Sequence, residues 1–79
     1  MNARDNARQV FRERMRERRK KLSMSQMELA DAVGVTKESV RMYEYGMRMP
    51  SCDKLAGIAK ALRVSCDWLL GMTERMDGR

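Results

Sequence analysis

The sequence predicts an all-α fold, five short helices around one core. Three observations carry this. Apolar residues recur at intervals of three and four along most of the chain, the spacing that sets them on one face of a helix. Capping residues stand before four of the five segments, and glycines close three of them. No stretch alternates apolar and polar residues as a half-buried strand does. At 79 residues the chain is one small domain, with a single core and little stability to spare.

The first helix takes Asp5 or Asn6 as its N-cap and runs to Leu22, with Val10, Phe11, Met15 and Leu22 on one narrow face. Arg19 falls on that face, four residues past Met15 and three before Leu22. It is expected to be partly buried and to need an acid from elsewhere in the chain. "MSQMELADAVG" gives the second helix, Gln26 to Val33, with Ser25 and Glu28 as a capping box and Met24 and Leu29 as a hydrophobic staple. Leu29, Ala30 and Val33 face inward, and Gly34 ends the helix in the left-handed conformation. After Val35 alone, Thr36 caps a third helix, stapled by Val35 and Val40, which buries Val40 and Tyr43 and ends near Gly46. Met49, Pro50 and Ser51 then break the chain. The fourth helix, Cys52 to Leu62, has the inward stripe Leu55, Ile58, Ala59 and Leu62. Ser65 caps a short fifth helix through Leu70, closed by Gly71, with Trp68 expected in the core. The tail "MTERMDGR" has no strong pattern and is expected to fray.

Composition narrows the function classes. A chain with 43% hydrophobic residues, one proline and no low-complexity run is folded rather than disordered. Its apolar runs are far too short to cross a bilayer, and the opening "MNARDNARQVFRERM" lacks the apolar core of a signal peptide, so the cytoplasm is the expected compartment. Cys52 and Cys66 have no CxxC spacing and the chain has no histidine, so neither a metal nor another cofactor is expected. An enzyme is disfavoured, because no glycine-rich phosphate loop or nucleophile constellation is present. The net charge of +6 resides in residues 1–22, where nine basic residues face three acidic ones; the other 57 residues carry eight of each sign. Such one-sided charge suits a polyanionic partner, or is simply a solvated helix face.

Two helices joined by a short glycine-containing turn, the second polar at its start, describe a helix-turn-helix. Ala30 is small where the helices approach, Gly34 makes the turn, Val35 fills the corner and Val40 packs the second helix on the first. On these residues the chain resembles the Cro and phage-repressor type of helix-turn-helix proteins, the XRE family. "LSMSQMELADAVGVTKESVRMYEYGMRMPSCDKLAGIAKALRVSCDWLL" is similar to the family pattern "SQxELAxxxGVxxxxxxxxExGxxxPSxxxLxxIAxALxVSxDxLL", and the likeness covers residues 10–71. The resemblance implies a lambda-repressor-like domain that binds double-stranded DNA and regulates transcription, most often as a repressor, in a prokaryote or phage. It also implies the partner of Arg19. In such domains an arginine late in helix 1 pairs with the acid that closes the recognition helix, here Glu44.

The second helix of such a pair lies in the major groove with its N-terminal residues against base edges. For a recognition helix at residues 36–45, the contacts are then Thr36, Lys37, Glu38, Ser39, Arg41 and Met42. Lys37 can donate to guanine O6 and N7, Glu38 can accept from a cytosine amino group, Met42 can meet a thymine methyl, and Arg41 can reach a base or a phosphate. Glu38 has a plainer alternative as a first-turn acid facing the helix dipole. Gln26 matches the family's phosphate-contacting glutamine, and Tyr45 and Arg48 are further phosphate contacts. The nine methionines mostly fill gaps, with Met47, Met49, Met72 and Met76 as the candidates for exposure.

Against the family pattern, residues 1–8 form an N-terminal extension, 9–71 the helix-turn-helix domain and 72–79 a tail. No sensing or oligomerisation domain is expected after the fifth helix, and any dimer is expected to be made by the small domain itself. One domain reads one half-site; a homodimer on a palindromic operator is the expected working form, with Leu69, Leu70 and Met72 as its surface. A rival of another class is an antitoxin-like module whose helices cover a protein partner. A membrane-binding first helix is disfavoured, because its apolar face is narrow and interrupted.

Overall fold

The computed structural model describes residues 3–78, with side chains from Asn6 onward. Five helices follow one another: α1 (Ala3–Lys21), α2 (Gln26–Val33), α3 (Lys37–Glu44), α4 (Cys52–Leu62) and α5 (Cys66–Leu69). No strand occurs among the described residues.

Local chemistry sets each boundary. The Ser25 hydroxyl accepts the Glu28 N–H at 2.9 Å and the Glu28 carboxylate accepts the Ser25 N–H at 2.8 Å, so both halves of the capping box form at the start of α2. Gly34 closes that helix at φ +83°, with its N–H donating to the Ala30 carbonyl at 2.8 Å. Thr36, Ser51 and Ser65 cap α3, α4 and α5 in the same way as Ser25, each with a hydroxyl on the third N–H of its helix. Two ends use a residue that lacks glycine's freedom. Ser23 at φ +57° and Arg63 at φ +59° both take the left-handed conformation after α1 and α4. Their N–H groups and those of Met24 and Val64 return to carbonyls of the last turn, the paired bonds of a Schellman motif.

α1 starts earlier than its expected cap. Asp5 and Asn6 lie inside the helix, since nothing in "ARDN" breaks it and short polar side chains are tolerated in a first turn. Residues 1, 2 and 79, and the side chain of the candidate cap Asp5, lie outside the described ones.

α2 and α3 pack closely on one another, α4 backs α2, and α1 runs behind α3, α4 and α5. Phe11 and Met15 from α1, Leu29 from α2, Val40 from α3, Ile58 and Leu62 from α4 and Leu69 from α5 are fully buried. Tyr43, Ala59 and Trp68 join them, while Val33, Leu55 and Leu22 pack at the margin.

Three expectations need correction. Leu69 is wholly inside the core, because the short α5 turns it toward the centre, and it cannot lie on a dimer surface. Leu70 is half-buried against the same core, which leaves Met72, 73% exposed, as the outward member of that trio. Met49 packs against the core instead of standing in solvent. The tail does not hang free. Arg14 donates to the carbonyls of Trp68 at 2.6 Å and Thr73 at 2.9 Å and pairs with Glu74 at 2.8 Å, while the Ser65 N–H donates to the Met76 carbonyl at 2.7 Å. One guanidinium thus ties residues 68–74 to α1 by charge-assisted bonds that no local pattern announces.

Candidate nucleic-acid interface

α3 is amphipathic in a particular way. Val40, Tyr43 and Glu44 point inward and are buried, Thr36, Lys37, Glu38 and Arg41 are exposed, and Ser39 and Met42 lie between. A single helix is therefore divided into a face that holds it to the domain and a polar face turned to solvent.

The inward acid is anchored. Glu44 accepts from Arg19 Nε at 2.6 Å and from Arg19 Nη2 at 3.0 Å, a two-point pair, and Gln26 Nε2 adds a third bond at 3.1 Å. Arg19 spends its remaining terminal nitrogen on the Met24 carbonyl at 2.8 Å. Both side chains are less than a tenth exposed, and all their buried polar atoms are satisfied. The pair joins α1, the start of α2 and the end of α3, so it fixes the orientation of the exposed face.

On the outward face the polar groups are not equally free. Thr36 Oγ1 accepts the Ser39 N–H at 3.0 Å and lies 3.0 Å from the Ser39 hydroxyl, so its hydroxyl is occupied by capping. Glu38 pairs with Arg41 Nη1 at 2.9 Å, and the Arg41 guanidinium also sits over the Tyr45 ring at 5.9 Å. Both members of that pair are well exposed, so it is weak and opens at little cost. Lys37 and Arg48 are exposed and have no hydrogen-bond or ion-pair partner among the described residues. Tyr45, 62% exposed, extends this surface beyond the end of α3.

Gln26 does not point freely to solvent, because its amide nitrogen is held by Glu44. It lines a cleft of about 300 Å³ with Glu44, Tyr45 and Arg19. Arg12, Arg16 and Lys20 of α1 line it as well. Sequence reasoning misses these three as site residues, although their spacing of four is a readable signal, because a charge run taken as a whole does not resolve the faces of a helix. No described helix is long and apolar enough to cross a membrane.

Comparison with known proteins agrees with this geometry. Residues 15–69 match the model of a helix-turn-helix family. The cryptic phage CTXphi transcriptional repressor RstR of Vibrio cholerae serotype O1 is 37% identical over 61 residues, 77% of this chain and 54% of that protein. Repressor protein C2 of Salmonella phage P22 is 39% identical over 62 residues, 78% of this chain but 29% of that one. The chain thus spans about half the length of RstR and less of C2. Among solved structures, the P22 c2 repressor in complex with a synthetic operator superposes with a TM-score of 0.75 at 35% identity, covering 87% of this chain and 96% of that one. The ClgR regulator from Corynebacterium glutamicum gives a TM-score of 0.75 at 26% identity, covering 81% of this chain and 68% of the other. With its five helices, its α2–turn–α3 unit and these relatives, the chain belongs to the Cro and phage-repressor type of helix-turn-helix family.

Proposed function

We propose that this chain is a sequence-specific double-stranded DNA-binding regulator of transcription, a repressor, which sets α3 in the major groove. The observation that carries the reading is the division of α3. Its polar side chains stay outside while a buried ion pair locks the opposite face to the domain, which is the preorganisation a reading helix needs. The names of its relatives, a phage transcriptional repressor and a repressor seen on operator DNA, support the same reading.

Lys37, unpaired and at the first turn, donates to guanine O6 and N7. Arg41 reaches a base or a phosphate once it leaves Glu38, and Glu38, released with it, accepts from a cytosine amino group. Ser39 keeps its own hydroxyl hydrogen for a base or phosphate, whereas Thr36 mainly holds the helix start. Met42 offers an apolar contact to a thymine methyl. Gln26, Tyr45 and Arg48 meet phosphates and so set register without reading sequence.

The working form in this reading is a homodimer on a palindromic operator in a prokaryotic cytoplasm. Half-sites one helical turn apart place the two reading helices about 34–36 Å from one another. The longest extent of the domain, 31 Å, is comparable to that spacing, so the reading places any contact between the two copies at their facing edges. Leu70, Met72 and the turn around Gly71 are the surface for that contact. Selection of bound sequences from random duplexes tests the whole reading. It predicts an enriched palindrome, and enrichment of nothing overturns it.

A further inference from the structure

We propose that α1 carries a phosphate-binding track, Arg12, Arg16 and Lys20, which grips the DNA backbone beside the groove that α3 enters. This rests on the DNA-binding reading above and assigns a role to the basic first helix.

The fold sorts six of the cations of α1 into two groups. Arg14 is consumed by the Trp68 and Thr73 carbonyls and Glu74, Arg18 by the Leu62 carbonyl at 3.0 Å, and Arg19 by Glu44. Arg12, Arg16 and Lys20 have no hydrogen-bond or ion-pair partner among the described residues. They stand at i, i+4 and i+8, in one row roughly 12 Å long, enough to meet more than one phosphate. Like charges four apart on a helix repel, and the row contains two such pairs. Neither Glu13 nor Glu17 pairs with the row: the Glu13 carboxylate accepts from Gln9 at 2.8 Å, and Glu17 lies in the wall of a different cleft. An anion laid on the row relieves that repulsion.

The row also has a built setting. It lines the cleft of about 300 Å³ together with Arg19, Gln26, Glu44 and Tyr45. The one carboxylate there, Glu44, has both oxygens occupied by Arg19, so the cleft presents a clear excess of positive charge. Arg12 is seated in it by Gly46. At φ +75° that glycine lets the arginine cross its backbone, where a Cβ would stand 3.0 Å from Arg12 Cδ. The cleft opens between α1, the start of α2 and the end of α3, so a backbone strand that meets Gln26 and Tyr45 passes directly over the row.

The test is a salt titration of the full chain carrying Arg12→Gln, Arg16→Gln and Lys20→Gln together. Binding is measured on a selected duplex and on a random duplex of equal length. The expected result is an equal loss of affinity on both and a slope of log K against log salt reduced by about 2–3, near 0.9 for each phosphate no longer neutralised. Thermal melting is expected to stay at or above that of the parent, because no bond is removed. The single reversal Arg16→Glu, at an exposed position, is expected to lower the slope by about 1 on both duplexes with less change to the helix. An unchanged slope in a parent that binds DNA overturns the track and leaves the reading helix standing. A parent that binds no duplex, or that sediments with phosphatidylserine vesicles and leaves duplex free, overturns both.

Discussion

In Glu44→Ala the Arg19 guanidinium loses both carboxylate bonds, at 2.6 and 3.0 Å, and keeps only the Met24 carbonyl. The Gln26 amide loses its partner at the same time. With side chains 9% and 6% exposed, the pair is buried, and removal of one member of such a pair costs about 3–5 kcal/mol. The adjoining basic cleft admits water to the edge of Arg19, which places the expected loss at the lower end, about 3 kcal/mol. In a domain of this size each kcal/mol moves the melting temperature by roughly 4–8 °C, so a drop of about 12–24 °C is expected. Urea denaturation followed by the fluorescence of Trp68, the sole tryptophan and a core residue, reads the loss directly. The m-value should not change. Replacing both partners, Arg19→Met with Glu44→Leu, should recover most of the stability, since no unpaired charge is then buried. A loss below about 1 kcal/mol for Glu44→Ala, or a double variant no better than the single, refutes the structural role of the pair.

Three further outcomes follow from single contacts. Gly34→Ala has room for its methyl, the nearest atom being Lys54 Nζ at 3.8 Å, so its cost is conformational, about 1–2 kcal/mol for a left-handed position, measurable by the same urea melts. Arg14→Gln removes two carbonyl bonds and an ion pair, and should raise amide exchange at Ser65, whose N–H donates to Met76, by about tenfold or more while α2 and α3 keep their protection. Arg48→Ala should weaken selected and random duplexes alike and lower the salt slope by about 1.

The parts of the fold that rest on neighbours in sequence are legible from the residues. The Ser25 and Glu28 box, the Gly34 turn and the Thr36 cap are contacts over three or four residues, and each forms as its chemistry requires. The inward faces of α2, α3 and α4 follow in the same way from apolar spacing. Arg19 is legible as a problem, a charge on an apolar face, but its partner lies 25 residues away and comes from family resemblance. Contacts across longer separations give no signal. Arg14 reaches carbonyls more than 50 residues on, so the tail reads as loose in sequence and is pinned in the fold. Leu69 and Leu70 are indistinguishable by type, and only the turn of α5 decides that Leu69 enters the core. At the interface, solvent exposure of the α3 polar face is readable, whereas the Glu38–Arg41 pair and the unoccupied state of Lys37 depend on side-chain geometry.

The division of α3 into an anchored face and a reading face is tested most directly at Lys37. Binding of the parent and of Lys37→Ala is measured on a selected duplex, on its single-base-pair variants and on random duplex. A reading role predicts a loss of about 1–3 kcal/mol on the selected duplex, little change on random DNA, and relaxed preference at one base pair of each half-site. An equal loss on every duplex, with all base preferences intact, contradicts it and reduces Lys37 to one more phosphate contact.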